Sequence, residues 1–260
     1  MNIICIGDVV GQIGCDILRK KLHSIKSELN ADLVIANGEN ACDGNGITKV
    51  QAEHIFGSGV DVITLGNHAF GRPESYEYID NTQSNLVRPF NYPNGTTPGR
   101  GYAIVDMLRC RVAVINLLGN YGMKAGIACP FEAADEVLKI PEVADAAIKI
   151  IDFHAEATSE KLAMGYMLDG KVSAVVGTHT HVQTADDTIL ENGTAYITDL
   201  GMTGPIRSVL GVKPEISIKR LKTKLPIRYT LASGECKIEG VCLNIDEKTG
   251  KTIDIMRFRY

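Results

Sequence analysis

Strand-like apolar runs alternate with helical patterns along the first half of the chain. The strand-like runs are 3–6, 33–36 and 60–65, and the helical patterns fall at 17–29, 51–56 and 73–80. Each run is short enough for a buried strand, and Pro73 stands where the first turn of its helix begins. This alternation is typical of a mainly parallel sheet covered by helices, so it predicts an α/β fold.

The second half of the chain is richer in strand patterns. A hairpin is predicted over 100–106 and 111–117, further strands at 148–152, 173–177 and 196–198, helices at 158–168 and 213–222, and short strands over 227–260. These strands predict a second sheet. We therefore expect one domain over 1–260, with two packed sheets, helices on the outside and a small cap around 119–141.

Composition narrows the class of protein. The chain has 260 residues, of which 45% are hydrophobic and 22% charged, as in ordinary globular domains. A formal net charge of −4 argues against binding long nucleic acid through counterion release, yet it leaves room for a small nucleotide held by a metal. No apolar stretch is long enough to predict a membrane span.

The chain start and the cysteines indicate a cytoplasmic protein. No basic segment precedes the first strand, which ends at Gly7 and Asp8, so a secretory signal is not expected. The seven cysteines are odd in number and form no C-x-x-C pair, which favours reduced thiols.

Side chains that can bind metal follow the predicted strands. They are Asp8, Glu39, Asn40, Asn67, His68, His154, His179 and His181. Polar groups at the carboxyl ends of parallel strands are where function collects in such sheets. Oxygen and imidazole ligands suit zinc, manganese, iron or nickel, and the lack of thiolates disfavours a structural zinc site. Four of the six histidines lie at strand ends beside two carboxylates, so the sequence predicts a metal site.

Spacing adds detail to this site. In an extended segment His179 and His181 would face the same side, so both would reach one metal or bind one metal each. The neighbours Asn67 and His68 would face apart, one toward metal and the other toward substrate. The structural alternative for Asp8 is a helix N-cap, and for either asparagine, Asn40 or Asn67, a turn. The other two histidines, at positions 23 and 54, fall in helical segments and are not expected to be ligands.

Glycines stand just before these clusters, at positions 7, 38, 66 and 177. They either bring the backbone close to metal and substrate or form ordinary strand-end turns. Neither G-x-G-x-x-G nor G-x-x-x-x-G-K-[ST] occurs, so the common dinucleotide and triphosphate fingerprints are absent.

The order of the clusters resembles that of the calcineurin-like metallophosphoesterases. That family shows an early Asp, then G-N-H, an isolated His and G-x-H-x-H, which stand here as Gly7-Asp8, Gly66-Asn67-His68, His154 and residues 177–181. Three departures occur: D-x-H is Asp8-Val9-Val10, G-D-x-x-D-R is Asn37-Gly38-Glu39-Asn40, and Ala69 stands where an acid is usual. These departures resemble the YmdB-like phosphodiesterases of bacteria, and that resemblance covers nearly the whole chain.

The resemblance implies a four-layer α/β/β/α fold with a dinuclear centre. One metal would be held by Asp8, Glu39, Asn40 and His181, and the other by Glu39, Asn67, His154 and His179. The bridging group would be Glu39 and the proton donor His68. The implied metal is iron, with manganese active in some members. The implied substrates are cyclic nucleotides, 2′,3′-cyclic mononucleotides first.

The chemistry of such a centre agrees with these roles. Two metals about 3.5–4 Å apart polarise a phosphoryl group and lower the pKa of a bridging water, and imidazole suits protonation of the leaving oxygen. Because the missing histidine of D-x-H leaves the first metal with Asn40 as a weaker, neutral ligand, we expect looser metal binding at this site.

Two other functions remain open at this point. One is a phosphomonoesterase on the same centre, since pocket shape and not the metal ligands selects a diester. The other is a regulatory or scaffold protein with a structural or residual metal site. The expected partners are a small-molecule nucleotide and a second copy of the chain in a homo-oligomer, with no long nucleic acid and no membrane.

Overall fold

The computed structural model describes residues 1–43, 45–81, 83–93, 95–123 and 126–260, and two six-stranded sheets form its centre. In spatial order, sheet 1 consists of β15 (Thr252–Arg259), β14 (Glu239–Ile245), β1 (Asn2–Ile6), β3 (Leu33–Asn37), β4 (Val62–Thr64) and β5 (Leu86–Val87). Sheet 2 consists of β10 (Thr188–Ile189), β11 (Ala195–Ile197), β9 (Ala174–Thr178), β8 (Ile148–His154), β7 (Arg111–Leu118) and β6 (Tyr102–Asp106). A third, small sheet consists of β13 (Cys236–Lys237), β12 (Met202–Pro205) and β2 (Asp8–Val9).

The sheets mix parallel and antiparallel pairs. Strands β1, β3, β4 and β5 run parallel in sheet 1, as β7, β8, β9 and β11 do in sheet 2. The predicted hairpin is present, because β6 pairs antiparallel with β7. The α/β fold class predicted from the alternation is therefore confirmed.

Seven α-helices are present in the described ranges. They are α1 (Gly11–Glu28), α2 (Lys49–Gly57), α3 (Tyr76–Ile79), α4 (Pro130–Val137), α5 (Pro141–Ala144), α6 (Thr158–Leu168) and α7 (Pro214–Thr223). Helix α1 begins earlier than the predicted pattern because its first turns bury small residues, Gly14 and Cys15 among them. A Cβ on Gly14 would lie 2.6 Å from the carbonyl oxygen of Thr203 on β12, so this contact needs glycine.

Three buried clusters show how these elements pack. The first holds helix α1, through residues such as Leu22, against one face of sheet 1. The second joins the two sheets, with Ile3 of sheet 1 and Val114 of sheet 2 among its members. The third holds Val137 of α4 and Met164 of α6 against sheet 2. Each cluster thus joins two groups of elements: α1 with sheet 1, sheet 1 with sheet 2, and α4 and α6 with sheet 2.

The last two long strands do not join the second sheet, which corrects the prediction for this part of the chain. Strand β14 pairs antiparallel with β1, Ile3 opposite Leu243 and Cys5 opposite Val241, and β15 extends the same edge. The apolar side chains of β14 complete the cluster between the sheets together with those of β1. Pairing across so long a stretch of chain leaves no local signal in the sequence.

Two other expectations concern the surface of the fold. The predicted cap over 119–141 includes residues 124 and 125, which lie outside the described residues, and α4 within it packs on sheet 2. The cap and the single domain over 1–260 stay predictions. In the part of the chain that the structure describes, every helix is too short or too polar to cross a bilayer.

Candidate metal centre

The eight predicted site residues come together at the carboxyl ends of strands in sheets 1 and 2. Asp8 follows β1 and begins β2, His154 ends β8, and the others occupy the turns that follow β3, β4 and β9. Three of them, Asp8, Glu39 and His154, are fully buried. Away from this edge, His23 is exposed on α1 and His54 lies on α2, 3.7 Å from Asp16, as expected for histidines outside the site.

One group of ligand atoms surrounds the ring of His154. Its Nε2 atom lies 3.0 Å from Glu39 Oε1, 3.0 Å from Asn67 Oδ1 and 3.0 Å from His179 Nδ1. One imidazole nitrogen offers a single hydrogen or a single lone pair, so it cannot satisfy three such neighbours. Separations of about 3 Å are those expected between neighbouring ligands around one ion with bonds of about 2.1 Å. The donor set therefore fits a metal, and Glu39, His154 and His179 could hold it.

A second group of polar atoms shares the same carboxylate. The side-chain nitrogen of Asn40 lies 3.1 Å from Glu39 Oε1, 3.4 Å from Asp8 Oδ1 and 3.2 Å from His181 Nε2. His181 Nε2 is 3.5 Å from Asp8 Oδ1. A half-turn of the amide would present oxygen to the same neighbours, so this group could also hold a cation. Glu39 belongs to both groups.

The backbone conformation at the two histidines after β9 differs from the extended one predicted. Both have left-handed backbones, with φ of 102° at His179 and 62° at His181, so this segment is not extended. The main-chain nitrogen of His179 donates to Asp8 Oδ2 at 3.1 Å, which fixes the bend. Each imidazole consequently points to a different group of ligand atoms.

The adjacent pair after β4 also differs from the prediction. Asn67 and His68 lie in a turn, and their side chains meet, with Asn67 Nδ2 3.2 Å from His68 Nε2. The main-chain nitrogen of His68 donates to Glu39 Oε2 at 2.9 Å. The turn therefore places the half-buried imidazole of His68 beside the cluster and leaves Asn67 Oδ1 on the side of His154.

Charges inside the cluster are strongly linked. Burial acts to raise the pKa of Glu39, but the imidazole of His154 outweighs it and lowers that pKa. Burial also acts to raise the pKa of Asp8, but the charge and hydrogen bond of the His181 imidazole contribute to a net lowering. Burial alone would lower the pKa of His154, yet the carboxylates of Glu39, Asp8 and Asp152 raise it to about 9.

These charges predict that metal uptake depends on pH. With a pKa of about 9, the metal-free His154 is protonated at neutral pH, and a ligand must lose that proton before it binds metal. Apparent metal affinity should therefore rise about tenfold per pH unit between about pH 7 and pH 9 and then level off. Metal titrations of the chelator-treated protein, in two buffers of different ionisation enthalpy, measure both the affinity and the protons released. Affinity that stays constant between pH 7 and pH 8 would contradict this assignment.

Polar groups beneath the cluster hold its histidines in place. His154 Nδ1 lies 2.9 Å from Thr178 Oγ1, which donates to Asp152 Oδ1 at 2.6 Å. Asp152 is buried between the sheets and also accepts hydrogen bonds from Asn37 and Thr64 of sheet 1. This network joins both sheets directly under His154 and fixes the orientation of its ring.

A buried ion pair supports the segment that follows β9. Lys161 of α6, 1% exposed, lies 2.9 Å from Asp199 Oδ2 and donates to the carbonyl of Thr178 at 2.8 Å. Asp199 in turn accepts from the main-chain nitrogens of Thr180 and Gly201. The pair consequently anchors the backbone on which both His179 and His181 depend.

Sequence reasoning missed these supporting residues as well as Glu156, whose Oε2 lies 2.9 Å from His179 Nε2. A signal for Asp152 was available, since it is a lone carboxylate within the apolar strand β8. Nothing local distinguishes Glu156 from the other exposed acidic residues.

Gly66 shows which of the two roles considered for the strand-end glycines applies at this site. A Cβ at Gly66 would lie 2.3 Å from Cδ2 of His154 and 2.4 Å from Glu39 Oε2. The backbone after β4 passes so close to both side chains that no larger residue fits without moving them. Close approach, and not an ordinary turn, is what requires glycine here.

Replacing Gly66 with alanine should therefore displace two candidate ligands. We expect G66A to bind metal at least about tenfold more weakly and to unfold more easily, by about 1–3 kcal/mol, as overpacking does. Metal titration and denaturant unfolding measure the two effects. The matched control is Gly57→Ala, because nothing lies within 4 Å of a Cβ there. Equal behaviour of the two variants would show that Gly66 is not tightly packed against the cluster.

A cleft opens directly beside the cluster. It has a volume of about 780 Å³, and its lining includes Asn40, His181, Leu210, Arg228 and Tyr229. Small-molecule sites commonly have volumes of about 300–1,000 Å³, so a nucleotide fits this space.

Several known proteins are similar to this chain over nearly its whole length. The chain is 48% identical over 261 residues to the 2′,3′-cyclic-nucleotide 2′-phosphodiesterase of Bacillus subtilis (strain 168). The alignment covers 99% of this chain and 96% of that protein. Among solved structures, it is similar to a hypothetical protein from Thermus thermophilus, with a TM-score of 0.92, 36% identity and coverage of 100% of this chain and 99% of that one. It is also similar to a novel phosphatase from Mycoplasma pneumoniae, with a TM-score of 0.93, 34% identity and coverage of 100% and 93%.

The sequence profile of the YmdB-like protein family matches residues 4–258, which is nearly the whole chain. The resemblance drawn from the motifs is thereby confirmed, and the chain belongs to the YmdB-like family.

Proposed function

We propose that this protein is a metal-dependent phosphodiesterase that hydrolyses cyclic nucleotides, with 2′,3′-cyclic mononucleotides as the first substrates. The observation that carries the proposal is the convergence of Glu39, Asn67 and His179 on one nitrogen of His154, beside a second group that shares Glu39. The name of the B. subtilis relative supports the substrate class.

In this proposal the two groups would hold two metal ions. One would be held by Asp8, Glu39, Asn40 and His181, and the other by Glu39, Asn67, His154 and His179, so Glu39 would belong to both sets. Carboxylate, amide and imidazole ligands suit iron, which we propose as the native metal, with manganese as the alternative. When bound, such ions polarise a phosphoryl oxygen and lower the pKa of water toward neutrality.

The protein's own contribution to the reaction is to deliver a proton. Water adds to phosphorus while the bond from phosphorus to the 2′ oxygen breaks, which leaves a nucleoside 3′-phosphate. The departing oxygen needs a proton, and we assign its donor to the imidazole of His68. That ring is held beside the cluster by its own main-chain hydrogen bond to Glu39 and by contacts with Asn67 and Asn45.

The two metal sites should differ in affinity. Each group contains one neutral amide, Asn67 or Asn40, but the group around His154 offers two imidazoles and the group around Asp8 only one. Titrating manganese into the chelator-treated protein should give two steps, with the looser ion lost in Asn40→Ala. Two ions of equal, tight affinity would contradict the assignment of Asn40 as a weak ligand.

Three broader features belong to the same proposal. The three hydrophobic clusters support a four-layer α/β/β/α arrangement in a single domain over 1–260. The seven cysteines are all free thiols, which supports a reducing, cytoplasmic location. A nucleotide is the proposed partner, and a homo-oligomer remains a prediction.

The deciding experiment is turnover of 2′,3′-cyclic AMP by protein purified without chelator, with metal content measured on the same sample. About two iron or manganese ions per chain together with formation of 3′-AMP would support the proposal. The phosphatase from M. pneumoniae favours one second candidate, a phosphomonoesterase. Turnover of nucleoside monophosphates without turnover of the cyclic diester would select that alternative, and two metals with no turnover of either would point to a regulatory role.

A further inference from the structure

The charge of the chain is unevenly distributed. Residues 206–231, here called the basic segment, contain seven of the 27 basic residues but only one of the 31 acidic residues. The segment includes α7 and the chain that flanks it on both sides. The formal net charge of −4, which argues against binding of long nucleic acid, is summed over the whole chain and does not reveal this local positive charge.

The cations of the basic segment are not neutralised by neighbouring carboxylates. None of the seven forms an ion pair with any residue that the structure describes, whereas surface lysines elsewhere do, as in Lys49–Glu53 and Lys171–Asp135. On and just after α7, Lys219, Lys222 and Lys224 are all exposed. Such a group of unpaired cations on one stretch of surface favours a partner with several negative charges.

The basic segment also forms one wall of the cleft beside the metal centre. Leu210, Arg228 and Tyr229 line the cleft together with Asn40 and His181, and the carbonyl oxygen of Leu210 lies 3.2 Å from His181 Nδ1. Arg228 thus brings a cation of the basic segment into the cleft, whose lining also includes Arg72 and Asp43, and Arg220 of α7 contacts Tyr229 at its border.

Tyr229 presents an exposed aromatic ring at the cleft. Its side chain is half-exposed, and the guanidinium of Arg220 lies 4.3 Å from the ring centre. Arginine over an aromatic ring fixes the ring in place, and exposed aromatic side chains within a basic groove are typical stacking sites for single-stranded nucleic acid.

We infer that the substrates include oligoribonucleotides that end in a 2′,3′-cyclic phosphate. The inference rests on the proposed function and extends it: the terminal nucleotide occupies the cleft, and the phosphates that precede it lie along the basic segment. Only a few phosphates are contacted, so the acidic remainder of the protein is no obstacle, in contrast to binding of a long duplex.

This substrate indicates what kind of reaction must come first. Attack of a ribose 2′-hydroxyl on the neighbouring phosphorus breaks the bond from phosphorus to the 5′ oxygen. The upstream fragment then ends in a 2′,3′-cyclic phosphate, and the downstream fragment leaves with a 5′-hydroxyl that takes up the proton. Addition of water with rupture of the bond to the 2′ oxygen converts that end to a free 2′-hydroxyl and a 3′-phosphate. The protein would then act after an RNA-cleaving step of that class.

The test compares a cyclic-phosphate-ended hexaribonucleotide with 2′,3′-cyclic AMP on the metal-loaded enzyme. We expect kcat/KM for the hexamer to exceed that for the mononucleotide by at least about tenfold at about 50 mM salt, and this preference to fall steeply by about 200 mM. The variant Lys219→Gln, Lys222→Gln, Lys224→Gln should lose the preference while its turnover of 2′,3′-cyclic AMP stays unchanged, because these lysines do not line the cleft.

A matched variant and a binding measurement complete the design. Lys20→Gln, Lys139→Gln, Lys248→Gln removes the same charge from exposed lysines elsewhere and should keep the preference. Fluorescence anisotropy with a labelled, 3′-phosphorylated hexaribonucleotide should show at least about tenfold weaker binding for the α7 variant than for this control.

The outcomes separate failure of the inference from failure of the proposed function. Turnover of the mononucleotide without preference for the hexamer would overturn the inference alone, whereas no turnover of either would overturn the proposed function. Equal loss of preference in both triple variants would reduce the effect to net charge and overturn the inference. Two further results would overturn the inference, because each would show that another occupant covers this surface. One is a change from oligomer to monomer in the α7 variant with unchanged hexamer kinetics. The other is tight binding to anionic phospholipid vesicles without binding of the hexamer.

Discussion

Replacing Glu39 with glutamine should reduce kcat/KM for 2′,3′-cyclic nucleotides by about 10³-fold or more. Glu39 is fully buried, and its Oε1 atom faces both His154 and Asn40 while Oε2 accepts from the nitrogen of His68. Glutamine keeps the size of the side chain but removes the charge that both proposed metal sites share. Loss of charge stabilisation worth several kcal/mol corresponds to three or more powers of ten in rate.

Metal content shows whether the rate is lost for this reason. We expect E39Q to hold at most one ion per chain, whereas the control Glu53→Gln, an exposed carboxylate on α2 paired with Lys49, should keep both ions and full activity. Two ions and wild-type turnover in E39Q would remove Glu39 from the centre. A folded E39Q with intact metal content but no turnover would assign it a role in catalysis and not in metal binding.

Replacing His68 with alanine should reduce kcat by about 10²–10⁴-fold without loss of metal. The proposed role is protonation of the leaving sugar oxygen, so the deficit should shrink greatly with bis(p-nitrophenyl) phosphate, whose leaving group needs no proton. The main-chain hydrogen bond from residue 68 to Glu39 survives in this variant, so the turn after β4 should keep its shape. Steady-state rates with both substrates, alongside metal analysis, measure the effect.

Two results would contradict this role. An equal deficit with both substrates would show that His68 acts on binding or structure and not as the proton donor. Loss of one metal ion would make it a ligand. His23→Ala, an exposed histidine on α1, is the control and should match the wild type in rate and metal content.

Much of the fold was predictable because its signals are local. Strands such as β1 and β3 are continuous apolar runs, and polar residues follow them directly, so both the elements and the edge that carries chemistry could be located. Residue type was informative for the same reason. Histidine, aspartate, glutamate and asparagine recur at the ends of several buried strands, and the structure brings all eight predicted residues together.

The orientation of those residues was less predictable. Extended geometry would have turned His179 and His181 the same way, whereas their left-handed backbones direct them to different groups. That bend depends on Asp8, Lys161 and Asp199, which reach it from other elements. A pattern of spacing cannot contain such contacts.

Residue pattern and motif order alone determine the α/β class, the edge of the sheet that holds the polar clusters and the membership of the family. These properties depend on local burial and on which chemical groups are present, and both are written in the order of residues. Folding in three dimensions was needed to bring β14 onto β1, to let Glu39 serve two groups at once and to set the basic segment against the cleft. Each of these depends on contacts between residues far apart in the chain, whose geometry is set by packing of the whole molecule.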